Sequence, residues 1–383
     1  MEQHFTNLFQ KKPTILSTSP GRINLIGEHT DYNDGFVLPG AIDKKVTFLL
    51  AANQSMTCRV YAVNADEVME FSLADMSSRK DWRWQNYVIG VVAELQAAGA
   101  ALQGFDATFE GDVPLGAGLS SSAALECALA AGLDALFGLG LSGTEIARIS
   151  QLAEHNFAGV ACGIMDQFAS VMGKEQQVFR LDCRSLEYHY FPMDLGDYQL
   201  VLLNSCVSHA LADSAYNDRR NECEMGVELL KQFDPKIRKL RDVSMEMLEA
   251  HRDALPEIVY RRCKHVVQEN ERVLAACDAL AAQDVVALGE LLYQSHDSLS
   301  GLYEVSCEEL DFLVDVTRAK DFVLGARMMG GGFGGCTLNL IKSQEVAMFL
   351  PEITQAYQQE MGITLQVYPV SLGEGSTAIP IQN

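Results

Sequence analysis

The ten cysteines, at positions 58, 127, 162, 183, 206, 223, 263, 277, 307 and 336, form no C-x-x-C pair. The close ligand spacing of a structural zinc site is therefore missing. Most of these cysteines lie within apolar runs such as Leu125-Glu126-Cys127-Ala128, and they read as buried thiols in a reducing cytoplasm. Basic residues are scarce. Only 29 Lys and Arg stand against 51 Asp and Glu, a net charge of −22 with neutral His. Such a field repels phosphate backbones and anionic lipid, so nucleic acid and membrane are excluded as expected partners. No stretch approaches the roughly 18 uninterrupted apolar residues of a membrane-spanning helix. Met1-Glu2-Gln3-His4-Phe5 carries neither the basic nor the apolar region of a secretory signal, and the expectation is a cytoplasmic protein. Low-complexity tracts, long linkers and solenoid-period repeats are also missing, so any domains are joined tightly.

What is present fits a packed protein. At about 150 residues per domain, the 383 residues suggest two domains, and 48% hydrophobic with 21% charged residues is ordinary for a globular chain. Extended segments at 46–50, 58–62 and 107–110 alternate with helical patterns at 121–137 and 144–158. A strand candidate at 177–181 is followed by another at 199–204. Long helical patterns at 214–232 and 257–282 and late strands at 338–341 and 364–370 complete the second half. The expectation is α+β in both halves, residues 1–190 and 191–383, with the boundary uncertain by ten residues or more.

Three segments carry chemistry. Pro114-Leu115-Gly116-Ala117-Gly118-Leu119-Ser120-Ser121-Ser122 runs straight into an Ala-rich helix. It has the makings of a phosphate cradle, in which glycines let the backbone approach an anion and the helix N-terminus attracts it. An ordinary glycine-rich turn with a serine N-cap accounts for it equally well. The Walker Gly-Lys-Ser/Thr pattern is absent, and Ser121 stands where the dinucleotide fingerprint needs a third glycine. In Ser19 to Asn33, Arg22 lies among small and apolar residues, where a buried cation needs an acidic partner or an anionic ligand. Glu28, His29 and Asp31 then supply donors and acceptors suited to several sugar hydroxyls, or else form a solvated turn around Asp31 to Gly35. Asp166 lies in the apolar run Gly163-Ile164-Met165-Asp166-Gln167-Phe168, either capping the following helix or serving as a base near a cation. Glu154, twelve positions earlier, is a carboxylate of the kind Mg2+ takes, or a surface glutamate.

Together these segments resemble the galactokinases, within the family of small-molecule kinases named for galactokinase, homoserine kinase, mevalonate kinase and phosphomevalonate kinase. The phosphate-loop motif, the Pro20-Gly21-Arg22 segment and Met329-Gly330-Gly331-Gly332-Phe333-Gly334-Gly335-Cys336 stand in the family's order. Gly21 to Tyr32 is similar to the galactokinase signature in particular. The resemblance covers residues from about 19 to 336. It implies the two-domain α+β architecture of these kinases, with the active site in the cleft between the halves. It further implies transfer from ATP to α-D-galactose, giving α-D-galactose 1-phosphate and ADP, the first step of galactose catabolism. Gly116, Ala117, Gly118, Leu119, Ser120, Ser121 and Ser122 match the residues that wrap ATP, and Ser122 and Glu154 those that hold Mg2+. Asp166 matches the catalytic aspartate and Arg22 the arginine beside it. Glu28, His29, Thr30, Asp31, Gly163 and Tyr216 match sugar-contacting positions. Galactose and ATP are the expected partners, and a monomer is the default expectation. A kinase for another polyol and a sugar sensor without activity are the rival readings.

Overall fold

The computed structural model describes residues 1–77, 83–208 and 212–382. Along the chain, α1 (Glu2–Phe9) precedes β1 (Ile15–Asn24), β2 (Phe36–Val37), β3 (Pro39–Ala52), β4 (Thr57–Ala62) and β5 (Glu67–Ser72). Next come α2 (Trp84–Ala97), β6 (Phe105–Gly111), α3 (Ser121–Phe137), α4 (Gly143–Ala153), α5 (Met165–Met172), β7 (Gln177–Asp182) and β8 (Tyr188–Pro192). The remainder runs through β9 (Tyr198–Ser208), α6 (Ala212–Leu230), α7 (Met245–Ala250), α8 (Glu257–Ala281), α9 (Val285–Ser298) and α10 (Glu308–Arg318). It ends with β10 (Val323–Met328), β11 (Gly334–Lys342), α11 (Val346–Met361), β12 (Gln366–Pro369) and β13 (Thr377–Pro380).

A six-stranded sheet in the order β13-β1-β3-β6-β4-β5 is antiparallel except where β4 meets β6. The antiparallel sheet β10-β11-β9-β12 forms the second half, and β2-β7-β8 makes a smaller third sheet. The chain leaves the third sheet at Pro192 and enters the second at Tyr198. From the far end of the chain β13 returns to pair with β1 and covers that edge of the first sheet.

Helix α3 occupies the expected span. Its alanines and leucines favour a helix, and every residue from Ala123 to Leu133 is buried. Small side chains bring it close to the first sheet: Ser17 on β1 donates to the Ala128 carbonyl at 2.6 Å, and a Cβ on Gly132 would stand 2.7 Å from Leu50. Gly138, at φ 64°, ends the helix in the left-handed conformation. The expected helix at 144–158 differs. A Ser142–Glu145 capping box starts α4, which stops at Ala153, and Glu154–Ala158 widens into a π-helical turn, an irregularity frequent at functional sites.

The largest apolar cluster draws on both main sheets, joining Phe48, Leu129, Leu338 and Leu340, so the two halves share a core. A second cluster on α6 and α8 takes in Tyr32 and packs against Tyr216 and Phe333. All ten cysteines are unpaired, but burial is not uniform: Cys206 is exposed, and Cys162, Cys183 and Cys307 are half-buried. Cys206 sits at φ 57°, where β9 is irregular.

Candidate active site

Near its C-terminal end β1 carries Arg22, re-aimed by a register irregularity between Pro20 and Arg22. The guanidinium is buried and grips Asp166 with two bonds, Nε to Oδ1 at 2.8 Å and Nη2 to Oδ2 at 2.9 Å, while Nη1 donates to the Gly118 carbonyl. Burial works against this charge, but Asp166 and then Glu28 outweigh it and push the arginine above its ordinary value. Asp166 lies in the first turn of α5. It is not the cap, which is Ile164 with no side-chain bond. Ser120 also donates to Asp166 Oδ2, so the carboxylate receives three hydrogen bonds.

Ser120 closes the phosphate loop. Gly116, Gly118 and Ser120 have φ of 70°, 73° and 58°, alternating with Ala117 and Leu119 on the ordinary side. Such alternation turns successive N–H groups toward one concavity, an arrangement that binds anions. Ala117 and Leu119 anchor the loop inward, both essentially buried, whereas Ser121 and Ser122 open α3. The serine N-cap reading fails in one respect: Ser120 stands at the cap but bonds Asp166 instead of the helix backbone. The late glycine run lies against this loop, with a Cβ on Gly335 falling 3.4 Å from Ala117 and one on Gly330 falling 3.5 Å from Gly118.

Glu154 is no surface glutamate. It is buried, accepts from Ser122 Oγ at 3.1 Å and from Gln167 Nε2 at 2.6 Å, and is raised to about 7 by burial and by Asp166. Among the described residues no three His, Cys, Asp or Glu gather closely enough to hold a metal alone. A hydroxyl and one carboxylate are hard oxygen donors, and they suit Mg2+, which usually completes its shell with phosphate oxygens and water.

A cavity of about 320 Å³ opens beside Asp166 and is lined by Arg22, Glu28, His29, Asp31, Glu154 and Tyr216, among others. Glu28 is held from three sides: Arg327 and the Gly330 N–H donate to Oε1, and Asn24 donates to Oε2 at 2.7 Å. His29, at φ 64°, is pushed down to about 3 by burial and is neutral. Since the Gly331 carbonyl accepts only, His29 Nε2 carries the proton at 3.2 Å and Nδ1 accepts from Tyr32 at 2.7 Å. Asp31 is raised to about 7, again by burial and then by Asp166. Gly163 touches Asp31 so closely that a Cβ would stand 1.8 Å from Oδ2. Tyr216 enters from α6, its ring 5.3 Å from that of His29. Thr30 and Gly163 are the exceptions among the expected sugar contacts: Gly163 lines a neighbouring cavity behind Asp31 rather than this one, and Thr30 lines neither. The buried Thr30 hydroxyl serves the Gly27 and Phe36 carbonyls and so shapes the loop.

Some neighbours went unnoticed in the sequence. Arg327, fully buried, pairs with Glu28. Its signal was available, since it stands among small and apolar residues just before the glycine run, as Arg22 does near the start. Asn217 lines the cavity beside Tyr216. On the other side of α3's first turn, a second cavity of about 680 Å³ is lined by Trp84, Tyr87, Phe109, Leu115, Ser121 and Ser122.

Comparison with known proteins agrees along the chain. Residues 3–52 match the family model of the galactokinase galactose-binding signature, residues 86–174 that of the GHMP kinases N terminal domain, and residues 276–351 that of the GHMP kinases C terminal. A galactokinase of Roseiflexus sp. (strain RS-1) is 42% identical, with 98% of this chain and 95% of that protein covered. The Lactococcus lactis galactokinase, solved in complex with galactose, superposes with a TM-score of 0.94 at 37% identity over 98% of both chains. A mevalonate kinase of Methanococcus jannaschii shares the fold, with a TM-score of 0.63 at 17% identity over 95% of this chain and 99% of that one.

Proposed function

The chain belongs to the galactokinase family of the GHMP kinases, and from that premise we propose how its residues transfer the γ-phosphoryl group of ATP to the anomeric hydroxyl of galactose. The observation that carries this reading is the Arg22–Asp166–Ser120 junction, where the sugar cavity meets the phosphate loop.

A carboxylate offers about four acceptor positions, of which three are occupied at Asp166, leaving one for a sugar hydroxyl. Held there, the hydroxyl surrenders its proton to Asp166 as its oxygen bonds to the γ-phosphorus and the bond to ADP breaks. Phosphoryl transfer depends mostly on positioning and electrostatics. Arg22, permanently charged beside the junction, offsets charge on the moving group, and the N–H groups of Gly116 to Ser120 hold the phosphates. Ser122 and Glu154 are the residues that would hold Mg2+, which neutralises the β- and γ-phosphate oxygens when bound. The neutral His29, Glu28, Asp31 and Tyr216 grip the remaining sugar hydroxyls, and Thr30 supports their loop. The aromatic second cavity, sharing Ser121 and Ser122 with the phosphate loop, suits the purine ring. The enzyme acts in this reading as a cytoplasmic monomer on two small molecules.

The test is sugar-dependent ADP release with Mg2+ and ATP on galactose, N-acetylgalactosamine, glucose, mannose and homoserine. Galactose should exceed the others by a wide margin. Silence on every acceptor, in protein that binds galactose by calorimetry, would overturn the reading in favour of a sensor.

A further inference from the structure

Behind the wall formed by Asp31 and Cys162, which line both spaces, lies a separate cavity of about 410 Å³. Its lining is unlike the rest of this molecule. In a chain of net charge −22, four cations converge on it, Arg148, Arg184, Arg220 and Lys239, against two carboxylates, Asp31 and Asp34. They come from separate elements. Arg148 lies on one face of α4 with Gln151 and Leu152, at the three- and four-residue spacing that aligns helical side chains. Arg220 projects from α6, Arg184 follows β7, and Lys239 precedes the turn Leu240–Asp242.

The ion pairs divide these cations into two kinds. Arg184 is bound to Asp242 and Asp34, and Arg220 uses Nε on Glu224 and Nη1 on the Ala161 carbonyl, which leaves its Nη2 open among the described residues. Arg148 and Lys239 carry no ion pair among the described residues. Asp31, Asp34, Asp242 and Glu224 balance the four cations in formal charge, but a concave surface with unspent cationic donors on three elements has the chemistry of an oxyanion site, since guanidinium and ammonium groups form their strongest hydrogen bonds with phosphate-type oxygens.

We propose that this cavity is a second anion site, separate from the phosphate loop, that takes a small phosphate-type dianion: inorganic phosphate or the head of a phosphate monoester. Arg148, Lys239 and the open edge of Arg220 supply the contacts. The site does not depend on the reaction proposed above, because none of these three residues belongs to the sugar cavity or the phosphate loop.

The test is calorimetric titration of the full chain saturated with galactose and a non-hydrolysable ATP analogue, so that the phosphate loop and the sugar cavity are filled. Inorganic phosphate and glycerol phosphate are titrated separately at constant ionic strength. The expected result is one dianion per chain, bound about tenfold or more weakly by Arg148→Ala plus Lys239→Ala. The reversal Arg148→Glu should abolish binding, while melting and galactose turnover without added phosphate stay at parent values. Equal affinity for the two probes identifies the phosphate group itself as the ligand, and tighter glycerol phosphate binding identifies the monoester; both uphold the site. Absence of heat with both probes, or undiminished binding in the double variant, would overturn it.

Discussion

The loop from Gly27 to Gly35 lines a cavity with Arg22 and Asp166, the loop from Leu115 to Ser120 is bonded to that same pair, and the two loops are built by opposite means. In the first, side chains are the material: Glu28, His29, Thr30 and Asn33 are all buried, and each has a hydrogen-bond partner. In the second, side chains are absent from that cavity. Leu115 is 85% exposed, and the loop is fixed by left-handed glycines and by Arg22, whose N–H donates to the Leu119 carbonyl at 3.1 Å. A sugar presents hydroxyls in a fixed pattern, which pre-set side chains can discriminate. A polyphosphate presents the same oxygens repeatedly, and main-chain N–H groups suffice. The contrast predicts different failures when each loop is damaged.

The largest effect belongs to the residue where the loops meet. Asp166→Ala removes the proposed acceptor for the sugar proton and should lower kcat by about 1,000-fold, within the range found for positioned acid–base groups. Galactose KM should move only a few-fold, whereas ATP KM should rise further, because the phosphate loop loses the acceptor of Ser120 and the partner of Arg22. A variant that keeps kcat and loses galactose affinity instead would put Asp166 in the sugar loop's class.

Next in size is Glu28→Gln. Arg327 is fully buried, and Glu28 is its carboxylate partner, so the substitution strands a buried cation at a cost of about 3 kcal/mol. Urea unfolding should register the loss in a single cooperative transition, with the galactose site weakened as well. Its counterpart in the other loop is Gly118→Ala. At φ 73° the added methyl should cost only about 1 kcal/mol, while tilting the N–H groups proposed to hold the phosphates. Stability should barely change and ATP KM should rise several-fold. If Gly118→Ala destabilises as much as Glu28→Gln, the distinction between side-chain and main-chain construction fails.

These pairs also explain which parts of the site could be read from sequence. The phosphate loop and α3 were legible because their signals are local: glycines, serines and an alanine-rich helix follow one another within two dozen residues. Arg22 and Asp166 were each conspicuous as a charge in an apolar run, yet their bidentate contact spans 144 positions and needed the fold. Glu28 and Arg327 lie 299 apart, and only half of that pair drew notice. The return of β13 to the first sheet had no signal at all, since a four-residue edge strand is too short for a pattern. Thr30 is a different case: it matches a sugar-contacting motif position, while its hydroxyl is directed at the backbone.

A smaller effect comes from the carboxylates that both loops crowd together. Asp31 and Glu154 sit at about 7 in the folded protein against ordinary values of 3.8 and 4.5, burial being the main cause. Between those values the folded state binds more protons at these two groups than the unfolded state, so their contribution to stability is full near pH 4 and is lost as pH rises through 7. The buried His29 and His265, lowered to about 3 and 4, act in the opposite sense up to about pH 6.5, so the test is a difference: in the absence of nucleotide, melting of the parent should fall relative to that of Glu154→Gln as pH rises from 5 to 7. An unchanged slope in that variant would remove Glu154 from the cause.

The smallest effect tests how deep the side-chain construction of the sugar loop runs. The neutral tautomer of His29 sets a direction of donation: Tyr32 donates to His29, so Tyr303, 2.8 Å away, donates to Tyr32, and the Cys223 thiol at 3.1 Å donates to Tyr303. This run of hydrogen bonds ends at Cys223, in the core cluster of α6 and α8. Tyr303→Phe deletes one link while His29 keeps its immediate donor. A single neutral hydrogen bond is worth about 1 kcal/mol, and only part of it acts on His29. Galactose KM should rise about two- to threefold with kcat and ATP KM unchanged, and kcat/KM between pH 5 and 9 should show no His29 ionisation. A matching rise in ATP KM would mean that the loops share their support, because nothing in the phosphate loop is bonded to this chain of hydroxyls.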